Sequence, residues 1–128
     1  MDSTGSNFSI LLVDDEDMVL SLGRVILERR GYHVCVARSG TEAIALCRER
    51  TEPLDCAIID FTMPDMNGRE TLTEIRKIFG GIPALISSGY SDEEITTAMG
   101  GLEFSGMIHK PYRQEALVAA LQQALSTL

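Results

Sequence analysis

The chain has 128 residues, 45% of them hydrophobic, and a formal net charge of -8. That size and apolar content suit one domain with its own core. The acidic balance argues against direct nucleic-acid binding, which needs clustered Lys and Arg to meet phosphates. No apolar run is long enough to cross a bilayer, and Met1–Ser9 lacks the basic segment and apolar core of a signal peptide. A cytoplasmic location with no direct membrane contact is expected.

Met1–Asn7 reads as a flexible lead-in, and residues 8–128 as a single domain. Strand signals fall at Phe8–Val13, Tyr32–Ala37, Cys56–Asp60, Ala84–Ser87 and Ser105–His109, from their apolar and β-branched content. Helical patterns lie between them. The first spans Asp17 to Arg30, with Met18, Leu22, Val25 and Ile26 on one face and Gly31 as its stop. The second starts at the capping box Ser39-x-x-Glu42 and places Ala43, Ile44, Leu46 and Cys47 inward. The third begins at Asn67-Gly68, buries Leu72, Ile75 and Phe79, and stops at Gly80-Gly81. The fourth has a capping box, Ser91-x-x-Glu94, but Thr96, Thr97 and Gly100-Gly101 make it the weakest. The fifth, Arg113 to Ser126, is rich in Ala and Leu, and Leu117, Val118, Leu121 and Leu125 form its apolar stripe. Five strand–helix alternations predict an α/β fold: a (βα)5 doubly wound domain whose five-stranded parallel sheet carries helices on both faces. Cys35, Cys47 and Cys56 are odd in number and lack metal-site spacing, so reduced thiols are expected.

Four polar sites end apolar runs: Asp14-Asp15-Glu16, Asp60, Ser88 and Lys110. A parallel sheet gathers ligands at the carboxyl ends of its strands, so these sites should share one crevice. Asp14, Asp15 and Asp60 cannot all remain ionised side by side without a cation. Mg2+ fits, because it needs only one or two carboxylates and keeps several waters; Mn2+ is the other candidate. Such an ion would also neutralise an incoming phosphoryl group, and a carboxylate can attack phosphorus to form an aspartyl-phosphate. Lys110 would balance one oxygen and Ser88 would hydrogen-bond another. Taken singly, each has a duller reading. An Asp after a strand is commonly a cap or turn former, Ser87-Ser88-Gly89 is turn-like, and a terminal Lys is usually solvated. Their joint placement favours a site. His109 is given no role.

These residues resemble the receiver domains of bacterial two-component response regulators over about Ser9 to Leu125. The carriers are Ile10-Leu11-Leu12-Val13-Asp14-Asp15-Glu16, Ile58-Ile59-Asp60-Phe61-Thr62-Met63-Pro64-Asp65-Met66-Asn67-Gly68, Ser87-Ser88-Gly89-Tyr90 and His109-Lys110-Pro111-Tyr112. The resemblance implies a flavodoxin-like sheet of order 2-1-3-4-5. It implies that Asp60 is phosphorylated by a phosphohistidine on a sensor histidine kinase or histidine phosphotransfer protein. Asp15 and Asp60 would ligate Mg2+ directly, Thr62 through its backbone carbonyl and Asp14 through water. Ser88 would be the switch hydroxyl, Lys110 the phosphoryl charge partner, and Lys110-Pro111 a cis peptide that aims the lysine inward. The output surface would comprise the fourth helix, fifth strand and fifth helix, facing a downstream effector the residues do not identify. The family usually has an aromatic residue where this chain has Met107, which leaves two alternatives there, a two-position switch or a graded repacking of the flexible methionine. Tyr90, two past the switch hydroxyl, would shield the site from water.

Other functions fit less well. A haloacid-dehalogenase-like phosphatase wants a second acid two residues past its nucleophile, where Thr62 stands, and a cap domain that this length does not accommodate. A flavin binder would need Ser, Thr and Gly where Asp14-Asp15-Glu16-Asp17 repels phosphate. A phosphate-independent binding module would not need the intact set of acceptor, metal ligands, hydroxyl and lysine. The chain reads as a switch rather than an enzyme, assisting only its own phosphotransfer and autodephosphorylation. A stand-alone receiver, or one excised from a larger protein, is expected, since no effector domain is read after the fifth helix. The run Ser87–Ser91 leans toward a hybrid sensor histidine kinase.

Overall fold

The computed structural model describes residues 8–126; the expected lead-in, Met1–Asn7, lies outside the described residues. The strands are β1 (Ser9–Val13), β2 (His33–Ala37), β3 (Cys56–Asp60), β4 (Ala84–Ser88) and β5 (Gly106–His109). The helices are α1 (Asp17–Glu28), α2 (Gly40–Glu49), α3 (Gly68–Ile78), α4 (Asp92–Met99) and α5 (Gln114–Leu125). All strand pairs are parallel, in the order β2-β1-β3-β4-β5. The expected (βα)5 doubly wound fold is thus present. Element ends differ from the sequence reading by a residue or two: β4 runs through Ser88 instead of stopping at Ser87, and α1 ends at Glu28 instead of Arg30.

The central strands are apolar on both faces because helices cover both. Ile10, Leu12 and Ile58 face α1 and α5, where Leu20, Ile26, Leu27, Leu117, Leu121 and Leu125 complete one core. Leu11, Val13 and Ile59 face the other way, toward Ala43, Cys47, Leu72, Ile75, Ile95 and Met99 of α2, α3 and α4. The α5 stripe of Leu117, Val118, Leu121 and Leu125 is therefore core. Cys35, Cys47 and Cys56 are free thiols, with Cys47 and Cys56 buried and Cys35 half-buried.

The expected inward face of α1 is corrected. Met18, Leu22 and Val25 are 86%, 43% and 46% exposed, whereas Leu20, Gly23, Ile26 and Leu27 point inward. The reason is Gly23, which carries no hydrophobic signal yet sits at the closest approach of the helix to the sheet. A Cβ there would lie 2.7 Å from Leu12 Cδ2 and 3.2 Å from Tyr112 Cε2. Close packing at Gly23 rotates the apolar residues on the opposite side outward. A smaller correction concerns Phe79, which caps α3 and is only half-buried.

The chain crosses from β1 to β2 on one side, then from β2 back over β1 to β3 on the other. The crevice above its carboxyl end is where ligands of such sheets bind. Asp14, Asp60, Ser88 and Lys110 all stand at that edge.

Candidate functional site

Asp14 is fully buried just past β1, its N–H donating to Ala37 O at 3.1 Å. Its Oδ1 accepts the Glu16 N–H at 2.9 Å, which turns the chain so that Asp15 is exposed at the crevice mouth. Asp60 closes β3 and is 2% exposed. Carboxylate oxygens of Asp14, Asp15 and Asp60 lie within 4.8 Å of one another. Lys110 reaches in from the end of β5. Its Nζ lies 3.1 Å from Asp14 Oδ2, 3.2 Å from Glu16 Oε1 and 3.3 Å from Asp60 Oδ2. The Lys110-Pro111 peptide is cis, as expected.

One ammonium thus faces three carboxylates, with Asp15 beside two of them, and the electrostatics show the imbalance. Burial, then the neighbouring charge of Asp14, pushes Asp60 up to about 6 against the pull of Lys110 and a backbone hydrogen bond from Thr62. Burial also raises Asp14 above the usual carboxylate range. Burial opposes the Lys110 charge, but Asp60 and Asp14 outweigh it and hold the ammonium more firmly than usual. Oxygen donors of this density, short of positive charge, are the chemistry a hard divalent cation takes. Mg2+ therefore fits the residues present.

Ser88 is buried at the end of β4, and its Oγ accepts the Tyr90 N–H at 2.8 Å. A serine hydroxyl so engaged keeps its own proton to donate. Tyr90 is half-exposed on the rim of a groove of about 380 Å³, lined by Thr62, Asn67, Glu94 and Ile95 among others. Thr62 is exposed on the loop after Asp60. Met107 is half-buried against the core layer of α2, α3 and α4. His109 is exposed, its Nε2 3.0 Å from Asp92 Oδ1 of α4.

Two contributors carried no assignment in the sequence reading. Glu16 shares Lys110 with the two aspartates. Its position in the acidic run Asp14-Asp15-Glu16 was the available signal. Tyr112, buried under the site, donates its hydroxyl to Ser87 Oγ at 3.3 Å, and burial pushes that phenol up to about 12. Nothing in sequence separates this tyrosine from any other after the Lys-Pro pair.

A model of the response regulator receiver domain matches residues 10–122. The chain belongs to that family, the receiver domains of two-component systems. It is 33% identical over 117 residues to the sensor kinase CckA of Brucella abortus (strain 2308), covering 91% of this chain and 12% of that protein. It is 35% identical over 125 residues to the transcriptional regulatory protein ZraR of Escherichia coli O157:H7, covering 96% of this chain and 27% of that protein. Among solved structures, the CheY-like response regulator receiver domain protein from Methanospirillum hungatei JF-1 aligns with a TM-score of 0.83 at 28% identity, over 94% of each chain. The chain spans only 12% and 27% of the two curated relatives' lengths.

Proposed function

We propose that this receiver accepts a phosphoryl group on Asp60 from a phosphohistidine and relays the event to α4, β5 and α5. The observation that carries the reading is the convergence of Asp60 with Lys110 at 3.3 Å and with the oxygens of Asp14 and Asp15. An Asp60 oxygen attacks phosphorus, the new O–P bond forms as the donor's N–P bond breaks, and the imidazole leaves with the N–P electron pair. Asp14, Asp15, Asp60 and the Thr62 carbonyl would hold Mg2+, Asp14 acting through water. When bound, Mg2+ supplies positive charge to the phosphoryl oxygens and to the crowded carboxylates. Lys110, already between Asp60 and Asp14, balances the added charge. Ser88 gives its hydroxyl proton to a phosphoryl oxygen and draws the chain before α4 with it. Met107 repacks in grades as that segment moves.

The sensor histidine kinase or phosphotransfer protein that supplies the phosphoryl group meets the chain at the mouth of the crevice. The exposed Met18, Leu22 and Val25 run back along α1 from that mouth and give it an apolar seat. Leu22→Asp should slow transfer from the donor protein at least tenfold and leave uptake from acetyl phosphate unchanged; equal rates from both donors would remove α1 from the docking surface. Tyr90, on the rim beside Ser88, shields the acyl phosphate from water. Tyr90→Ala should shorten the phosphorylated half-life, and an unchanged half-life contradicts that role.

The matches include both a sensor kinase and transcriptional regulators, so they give the hybrid-kinase expectation no preference. Among the described residues no helix is long and apolar enough to cross a membrane. A cytoplasmic location agrees with a phosphodonor of this class. Phosphoryl uptake from acetyl phosphate, dependent on a divalent ion and on Asp60, tests the reading.

A further inference from the structure

The loop from β3 to α3, residues 61–67, is fixed at its two ends by backbone hydrogen bonds. The Phe61 N–H donates to Ser87 O at 2.9 Å, and the Gly68 N–H returns to Phe61 O at 2.8 Å. Thr62 lies between them, exposed, with its backbone on the Asp60 carboxylate. Among the described residues, one polar side chain ties the middle of this loop to a distant element. It is Asp65. Its Oδ2 accepts the Thr41 N–H at 2.9 Å and the Thr41 hydroxyl at 2.7 Å, and its Oδ1 accepts the Gly40 N–H at 3.3 Å.

Gly40 and Thr41 open α2, and the first N–H groups of a helix have no partner within it. A carboxylate suits that end of the helix dipole. Yet α2 has a cap of its own, since Ser39 Oγ accepts the Glu42 N–H at 3.0 Å. The second cap comes from 24 to 25 residues away, and its geometric effect falls on the loop as much as on the helix. The fit leaves no slack. A Cβ on Gly40 would lie 2.5 Å from Thr71 Oγ1 and 2.9 Å from Met66 Cβ.

We propose that Asp65 is a positioning residue for the metal site: by capping α2 it fixes the loop that supplies Thr62. The inference rests on the reading of Asp14, Asp15, Asp60 and the Thr62 carbonyl as metal ligands. Groups that orient ligands in this way typically change metal affinity about 10-fold or more when removed. Linkage is reciprocal, so a metal that gains from the Asp65 cap must in turn tighten it.

Mn2+ binding, followed by the loss of the free-ion electron spin resonance signal, tests this on the intact chain. Asp65→Ala should weaken Mn2+ binding about tenfold, with Asp65→Asn, which keeps one acceptor oxygen, in between. Ser39→Ala removes the helix's own cap without touching the loop and should bind as wild type does. In the wild type, added Mg2+ should slow amide exchange at Gly40 and Thr41. Wild-type affinity in Asp65→Ala, or an equal loss in Ser39→Ala, overturns the positioning role. A wild type that takes up no Mn2+ overturns the metal reading itself, and this inference with it.

Discussion

Two helices leave the site edge soon after a residue of the proposed chemistry, and they are built to different standards. α3 follows Asp60 and α4 follows Ser88. Both open with a reciprocal capping box, Asn67 with Glu70 and Ser91 with Glu94. Beyond that they diverge. α3 has eleven residues and buries Gly68, Thr71, Leu72 and Ile75. Its Arg76 guanidinium fastens its far end, donating to Ile82 O at 3.2 and 3.0 Å and to Glu103 O at 2.6 Å. α4 has eight residues, buries only Ile95 and Met99, and sets β-branched Thr96 and Thr97 in its centre. The proposed acceptor therefore sits on the firm side of the crevice, and the proposed sensing hydroxyl leads into the soft side. Under the proposed function, phosphorylation at Asp60 should shift the structure where it yields most easily, at α4.

The largest effect expected from this contrast is in the core beneath each helix. Leu72→Ala and Ile95→Ala each remove a fully buried side chain, a change that costs about 2–5 kcal/mol in a rigid surround. Under α3 that loss should appear whole, as a global fall in stability of about 3 kcal/mol by chemical denaturation. Under α4 part of it should appear as local opening, with α4 amides exchanging faster and a smaller global fall. Equal global losses with no selective exchange in α4 would erase the contrast.

A smaller effect sharpens the firm side. Without metal, the fold raises Asp60 from 3.8 to about 6, so the native state binds its proton more tightly than the unfolded chain. Stability from this group is present below about pH 4 and is lost as pH rises through about 6. Asp60→Asn removes that fall and should stabilise the metal-free protein at pH 7 by about 1–2 kcal/mol, reduced by solvent at the crevice mouth. Added Mg2+ should stabilise wild type more than the Asn variant. Denaturation midpoints at pH 4.5 and 7, with and without Mg2+, check both statements. A wild type that gains stability on going from pH 4.5 to 7 without metal contradicts them.

The contrast was partly legible in sequence. Asn67-Gly68 announced α3 and the capping box Ser91-x-x-Glu94 announced α4, and Thr96, Thr97 and the Gly100-Gly101 stop marked α4 as the weaker. The strand ends carrying Asp14, Asp60, Ser88 and Lys110 were readable too, because buried parallel strands are apolar runs that break abruptly at their polar edge. The inward face of α1 was not. Hydrophobic periodicity weights large side chains, while the true contact position is Gly23, chosen for its lack of one. Nor were Asp65 on Thr41 or Glu16 on Lys110 legible. The first spans 24 residues and the second 94, and such pairings depend on how elements pack, which local pattern does not encode. Tyr112 beneath Ser87 is hidden for the same reason.

The central claim is that Asp60 takes the phosphoryl group. Intact-mass measurement after incubation with acetyl phosphate tests it most directly, on wild type and Asp60→Ala, with and without Mg2+. The account predicts one phosphoryl group on wild type with Mg2+, little without it, and none on Asp60→Ala. No gain by wild type, or the same gain by Asp60→Ala, would contradict it.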